Sequence, residues 1–221
     1  MELRLLTPAD AAAFQALRLT GLVEAPEAFA SSLEEEEDLA IDVVAGRLTA
    51  NDNGAVFGAF DGAELAGVVG VLREAKRKHR HKAFIWGMYI APAWRDRKLG
   101  RALMEVALQR AAAMPGVRQV TLCVNAGSAG AVRLYESLGF VRFGLEPDAL
   151  YVAPHFHDKL DMVYRLPAPA APEPARARSR TRRAVLRWTG GPGERNGTAR
   201  MMSIFDRPAV PNSRTPACWR R

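Results

Sequence analysis

The organisation of this chain is decided by the stretch WGMYIAPAWRDRKLGRAL, residues 86–103. Its first five residues are apolar or small, as at the end of a buried strand, and Pro92 follows them closely. From Leu99 onward the apolar residues recur at helical spacing, which predicts a helix over 99–113. A short basic turn therefore joins a strand directly to a helix.

This basic turn has the properties of an anion-binding site. The first amides of a helix have no partners within the helix, and the helix dipole favours negative charge there. Gly100 lets the backbone approach a phosphate closely. Positive charge comes from Arg95, Arg97, Lys98 and Arg101. A solvated basic helix start is the alternative, but basic side chains at that end oppose the dipole, so a pyrophosphate is the ligand we expect.

Further strands and helices are predicted on both sides of this unit. Strands are expected at residues 2–6, 55–60, 65–72, 83–90, 117–124, 140–145 and 160–166. Helices are expected after Thr7-Pro8, over 27–47, over 99–113 and over 128–138. The order β-α-α-β-β-β-α-β-α-β-β indicates an α/β or α+β fold, with one sheet covered by helices.

The chain changes character after Leu166. Residues 167–221 contain twelve arginines and three acidic residues, and are rich in Pro and Gly, whereas residues 1–166 carry a net charge of −2 out of the total of +7. Such a segment buries too little apolar surface to offset its ordering entropy. We predict a domain over 1–166 and a disordered tail over 167–221. Binding of nucleic acid is expected through this basic tail or not at all.

Several function classes are disfavoured by composition. No apolar run is long enough to span a bilayer, and the amino terminus lacks the build of a signal peptide. Two cysteines, Cys123 and Cys218, do not suggest a disulfide framework. His155, His157 and Asp158 are expected in a loop before the last strand. The two histidines are spaced like a pair of metal ligands, but no third ligand at a convincing spacing follows, so no metal site is predicted. A cytoplasmic location is the simplest expectation.

Residues 95–102 resemble the acetyl-CoA motif of the GNAT acetyltransferases, Q/R-x-x-G-x-G/A. Arg95 matches the first position and Gly100 the last, while Lys98 stands where the first glycine is usual. A register that begins at Arg97 and ends at Ala102 also satisfies the pattern, but the flanking residues favour the first. A second resemblance covers residues 124–140, which end in the family's Y-x-x-x-G-F sequence.

The resemblance spans roughly residues 3–166 and implies a GNAT fold. That fold has a mixed, mostly antiparallel sheet of six or seven strands flanked by about four helices. The implied activity is direct transfer of an acetyl group from acetyl-CoA to a primary amine on a small molecule, a protein N-terminus or a lysine. A homodimer is possible by the same resemblance.

The resemblance also implies roles for individual residues. The backbone of Met88, Tyr89 and Ile90 would pair with the pantetheine arm, and the turn Arg95, Asp96, Arg97, Lys98, Leu99, Gly100, Arg101 and Ala102 would hold the pyrophosphate. Asn125 would face the cofactor or serve as a turn residue. Ser128 is a weaker candidate for cofactor contact, with helix capping as its alternative. Tyr135 would be the general acid for the departing thiolate, or a core residue.

The general base is less defined. No carboxylate lies within 83–90, where similar enzymes often keep a glutamate. The candidates are Glu27 and the run 34–37, and Glu34 is our tentative choice as base or amine-binding group. The alternative is that this run is a solvated helix face. At the level of the whole protein, the alternative to an enzyme is a catalytically inactive module that binds acyl-CoA.

Overall fold

The computed structural model describes residues 1–167 of the chain. Its strands are β1 (Glu2–Leu5), β2 (Gly54–Asp61), β3 (Glu64–Arg73), β4 (Lys82–Ile90), β5 (Gln119–Asn125), β6 (Val141–Val152) and β7 (His155–Arg165). Its α-helices are α1 (Ala11–Glu24), α2 (Leu33–Glu36), α3 (Ile41–Arg47), α4 (Leu99–Ala113) and α5 (Ala129–Ser137). Short 3₁₀ turns are Pro8–Asp10, Pro26–Ala28, Arg77–His79 and Pro92–Trp94.

The strands form one seven-stranded sheet in the order β1-β2-β3-β4-β5-β7-β6. Every neighbouring pair is antiparallel except β4 and β5, which are parallel. The turn between β2 and β3 contains Gly62 at φ 58°, a left-handed conformation that glycine adopts without steric cost. The predicted fold class, a mixed and mostly antiparallel sheet flanked by helices, is confirmed.

Helices cover both faces of the sheet. Successive residues of a strand point to opposite faces, and accordingly Val69 packs in one core cluster and Val68 in the other. The first cluster includes Leu103 and Met104 of α4, and the second includes Phe14 of α1. A residue in the middle of the sheet is therefore enclosed by helices on either side.

The parallel pair β4–β5 is short, and this positions the functional site. Its register runs only from Lys82–Gln119 to Phe84–Thr121. Beyond Phe84, β4 continues with β3 and β5 continues with β7, so the two facing edges diverge. The pairing of β4 with β3 shifts register around Gly87, which has φ 62°. A cleft opens between the carboxyl-terminal halves of β4 and β5.

Two sequence predictions about local structure are wrong. Residues 27–47 are not one helix, because the amide of Ser32 donates to Glu35 Oε2 over 2.9 Å and starts a new helix there. His155, His157 and Asp158 lie within β7 and not in a loop, since β6 and β7 stay paired out to Val152 and His155.

Residues 168–221, which make up the predicted disordered tail except for Pro167, lie outside the described part of the chain. Within residues 1–167, no helix is long and apolar enough to cross a membrane.

Candidate functional site

The cleft between β4 and β5 has a volume of about 100 Å³. The cleft is lined by residues of both strands, of α5 and of the segment after α1. The residues that line it are Ala28, Phe29, Ile85, Trp86, Gly87, Met88, Leu122, Cys123, Val124, Asn125, Ser128, Ala131 and Tyr135. Four of the predicted site residues, Met88, Asn125, Ser128 and Tyr135, therefore meet in one place.

Tyr135 projects from α5 into this cleft. Its side chain is only 7% exposed, and its ring lies 6.0 Å from the ring of Phe140. Burial raises the pKa of the Tyr135 phenol to about 12. Within residues 1–167 its hydroxyl has no hydrogen-bond partner. The site thus contains a protonated hydroxyl that can donate to a ligand.

The turn before α4 has an unusual backbone. Asp96 has φ 60° and Lys98 has φ 63°, so two residues other than glycine are left-handed. The first helical hydrogen bond joins the amide of Ala102 to Lys98 O over 3.2 Å, and the amides of residues 99–101 precede it. A turn of this kind with a helix start gathers N–H groups that can bind an anion.

Lys98 shows why glycine is usual at its position. Left-handed backbone costs an L-residue roughly 1 kcal/mol, whereas glycine adopts it freely. This conformation supports the motif register that begins at Arg95. The backbone of the turn is formed despite the missing glycine.

The basic side chains of the turn differ in availability. Arg95 forms a two-point ion pair with Glu24 at the end of α1 and donates to Ile90 O over 3.1 Å. Arg101 donates to Ser137 Oγ over 2.7 Å. Arg97 is exposed and stacks 4.6 Å above the ring of Trp94, and Lys98 is exposed. Arg97 and Lys98 are therefore the more accessible cations.

Tyr89 belongs to the network that holds the turn. Its hydroxyl donates to Glu24 Oε2 over 2.8 Å, and burial together with this carboxylate raises the pKa of Tyr89 to about 12. Hydrogen bonds from Arg95, and then from Tyr89, hold the pKa of Glu24 below its usual value. The side chain of Tyr89 thus braces the turn, and only its backbone is available to a ligand.

Gly100 lies where α4 approaches its neighbours closely. A Cβ there would lie 3.1 Å from Leu134 Cδ2 and 3.4 Å from Met88 Cε. Two other motif residues are ordinary residues of α4, with Leu99 buried in the core and Ala102 half-buried. The absence of a side chain at Gly100 therefore brings the helix start against the cleft wall.

Asn125 closes the loop at the end of β5. Its Oδ1 accepts from the amide of Gly127 over 2.7 Å, and its Nδ2 donates to Glu27 O over 3.3 Å. The ring nitrogen His157 Nδ1 lies 3.4 Å from the same Nδ2. Asn125 thus acts as a turn residue that also ties the segment after α1 to the cleft. Ser128 lines the cleft, and its hydroxyl forms no capping bond to α5.

The acidic run after α1 divides into two kinds of residue. Glu34 is exposed and is not among the cleft-lining residues; bonds from its own amide and from Ser32 lower its pKa. Glu36 is buried, only 3% exposed, and pairs with Arg18 and Arg47. The expectation of a wholly solvated face is therefore wrong for Glu36.

Sequence reasoning missed Arg18 and Glu24, which lie on α1 with no motif around them, and it named Glu36 only as a member of the acidic run 34–37. Gly87 was a usable signal for the register shift in β4 and for the close approach of Arg18, because glycine inside a strand often marks a bulge or a close approach.

Comparison with known families identifies the fold. The profile of the Acetyltransferase (GNAT) family matches residues 20–140, more than half of the chain. The chain belongs to the GNAT acetyltransferase family. No curated protein matches it.

Solved GNAT structures share its fold. A GNAT-family acetyltransferase from Streptococcus pneumoniae is 25% identical, with a TM-score of 0.66 over 75% of this chain and 99% of that one. The yncA protein of Salmonella typhimurium, solved with its cofactor acetyl-CoA, is 20% identical, with a TM-score of 0.68 over 78% and 98%. A phosphinothricin acetyltransferase from Sinorhizobium meliloti, in complex with acetyl-CoA, is 17% identical, with a TM-score of 0.66 over 80% and 94%.

Proposed function

We propose that this GNAT protein is an acetyl-CoA-dependent N-acetyltransferase that acetylates a primary amine directly. The observation that carries the proposal is Tyr135, a largely buried residue that lines the β4–β5 cleft and whose hydroxyl has no partner among residues 1–167. The hydroxyl is not one of the buried unpaired polar atoms of these residues, so it is open to the cleft. It can therefore donate a hydrogen bond to a ligand atom that lies there.

The residues present fit acetyl-CoA. The free edge of β4 at Met88, Tyr89 and Ile90 can pair with the amide groups of a pantetheine arm, as an added strand would. The turn of residues 95–102 offers the amides of 99–101 and the cations Arg97 and Lys98 to a pyrophosphate. Arg95 and Arg101 hold this turn against α1 and α5. Asn125 and Ser128 complete the opposite wall.

The bound acetyl-CoA would supply an acyl thioester that an amine attacks with loss of the thiolate. At neutral pH the Tyr135 phenol is protonated, since its pKa is about 12. A thiol has a pKa near 8.5, so complete proton transfer from the phenol would be uphill by about 3.5 pKa units. Tyr135 therefore acts chiefly by donating a hydrogen bond to the sulfur as negative charge develops there.

The proton on the amine needs a separate acceptor. Glu34 remains our tentative candidate from the sequence, but its exposed position suits attraction of a cationic amine better than proton removal. His157 lies beside the cleft residue Asn125, so its imidazole is the second candidate, acting directly or through water. Comparison of the pH–rate profiles of Glu34→Gln and His157→Asn variants distinguishes the two.

The cofactor site is tested by calorimetry with acetyl-CoA and three proteins: wild type, Gly100→Ala and Gly100→Asp. Both variants add a Cβ near Leu134, but only the aspartate adds a negative charge at the turn. We expect binding by wild type, moderately weaker binding by the alanine variant and none by a folded aspartate variant. No binding by folded wild type would refute the proposal.

Release of thiol separates the enzyme from an inactive acyl-CoA-binding module. With a panel of amines, the enzyme releases CoA in proportion to acetylated product, whereas a module binds acetyl-CoA and releases none. Homodimer formation and a cytoplasmic location stay predictions.

A further inference from the structure

A buried arginine lies directly behind the cleft. Arg18 of α1 is only 9% exposed. Its Nη1 lies 3.8 Å from the point that a Cβ on Gly87 would occupy, and Gly87 lines the cleft. Because Gly87 has no side chain, this residue places no side-chain atoms between the cleft and the Arg18 guanidinium. A side chain at position 87 would occupy the space between them.

The orientation of Arg18 leaves one end of the guanidinium free. Nε donates to Glu36 Oε2 over 2.7 Å, and Nη2 donates to Glu36 Oε1 over 2.6 Å and to Ser31 Oγ over 3.4 Å. The ring of Phe29, which also lines the cleft, lies 5.2 Å from the guanidinium carbon. Nη1 has no acceptor within residues 1–167. The unpaired nitrogen is the one nearest Gly87.

The charges around Arg18 do not balance. Glu36 also accepts from Arg47 Nη1 over 2.9 Å, so one carboxylate serves two guanidinium groups. The triad therefore carries a net charge of +1. Arg47 is partly exposed, with 32% of its side chain accessible, so solvent carries part of this excess charge. Arg18 Nη1 is not among the buried unpaired atoms of the described residues, so it is open to a small anion, which can accept a charge-assisted hydrogen bond from it.

We propose that Arg18 recognises a carboxylate on the acceptor, so the acceptor is a small molecule that carries both the amine and a carboxylate, as a free amino acid does. This rests on the proposed acetyltransferase function and narrows its substrate class. The amine of a protein N-terminus or of a lysine side chain in a protein has no free carboxylate on the same residue, because that carboxyl group is part of a peptide bond. The cleft residues Phe29 and Trp86 would contact the rest of the acceptor.

The same charge assists the reaction at the amine. A cation close to an ammonium group lowers the pKa of that ammonium, so a larger fraction of the bound amine is neutral and nucleophilic. Arg18 would thus bind one end of the acceptor and favour the reactive form of the other.

The test uses the full chain and the twenty free L-amino acids, each paired with its carboxamide. Thiol release from acetyl-CoA gives kcat and KM, and calorimetric titration of each compound into the protein, alone and with CoA, gives binding. We expect at least one amino acid to bind about tenfold or more tightly than its amide, through KM and not kcat.

Variants identify Arg18 as the source of that preference. Arg18→Lys keeps a charge but loses the fixed Nη1, and should reduce the preference for carboxylate about tenfold. Arg47→Gln is the matched control, because it removes the other partner of Glu36 without touching the cleft, and should keep the preference. Circular dichroism and thermal unfolding show whether each variant is folded, independently of acetyl-CoA binding.

The outcomes separate the two proposals. If acetyl-CoA does not bind, the acetyltransferase function fails, while the titrations without CoA still test Arg18. Equal binding of acids and amides, a preference that survives Arg18→Lys, or no binding by any of the forty compounds would each overturn the role of Arg18.

Discussion

The buried carboxylate of Glu36 allows a quantitative prediction for the variant Glu36→Gln. Glu36 is 3% exposed and receives charged hydrogen bonds of 2.6 and 2.7 Å from Arg18 and 2.9 Å from Arg47. The substitution leaves two guanidinium groups without their counter-charge. Breaking a buried ion pair in this way costs about 3–5 kcal/mol of unfolding free energy.

The pKa of Glu36 leads to a similar magnitude. Burial acts to raise this pKa, but the bonds from Arg18 and Arg47 outweigh it and lower the pKa from 4.5 to about 2. At about 1.36 kcal/mol per pKa unit, the charged form stabilises the fold by about 3 kcal/mol at neutral pH. Because the folded pKa is depressed, this stability is present above about pH 5 and is lost as the pH falls toward 2. By pH 3.5 about 1.4 kcal/mol of it is gone.

Urea denaturation followed by circular dichroism, at several pH values from 7.5 to 3.5, measures this effect. Wild type and Glu36→Gln should differ by about 3 kcal/mol at pH 7.5 and by about 1.4 kcal/mol less at pH 3.5. Glu37→Gln is the matched control, because Glu37 is the exposed neighbour on the same turn, and should differ from wild type by less than about 0.5 kcal/mol. A difference between wild type and Glu36→Gln that is below about 1 kcal/mol, or independent of pH, would refute the reasoning.

Three further variants test other features of the structure. Tyr135→Phe should lower kcat by about 10²-fold or more and leave acetyl-CoA affinity nearly unchanged in calorimetry, and an unchanged kcat would remove the hydroxyl from the mechanism. Lys98→Gly should raise the unfolding free energy by about 0.5–1 kcal/mol because φ is 63° there, whereas Lys98→Ala should not. Gly87→Ala should lower the unfolding free energy by about 1–2 kcal/mol, because φ is 62° at this position. Gly130→Ala should raise the unfolding free energy by up to about 1 kcal/mol, because open space surrounds this helical position. Chemical denaturation of both variants measures the two changes.

The order of strands and helices was predictable because its signals are local. The apolar spacing of α4, the glycine turn after Asp61 and the helix stop at Gly139 each depend on a few consecutive residues. Prediction from local sequence was wrong where a segment could form either a loop or a strand. Residues 155–158, which were predicted as a loop, form the start of β7 because the partner strand β6 continues alongside them.

The amino-acid sequence by itself determined the family, the strand–turn–helix unit of residues 86–103 and the placement of Tyr135 on a helix after the following strand. Only the tertiary structure decided that β4 and β5 diverge after Phe84, that Arg95 is held by Glu24, and that Arg18 lies behind Gly87. The physical reason is distance along the chain. Periodicity records which face of an element is buried, whereas contacts between residues 71 and 69 positions apart depend on how the sheet and helices pack against each other.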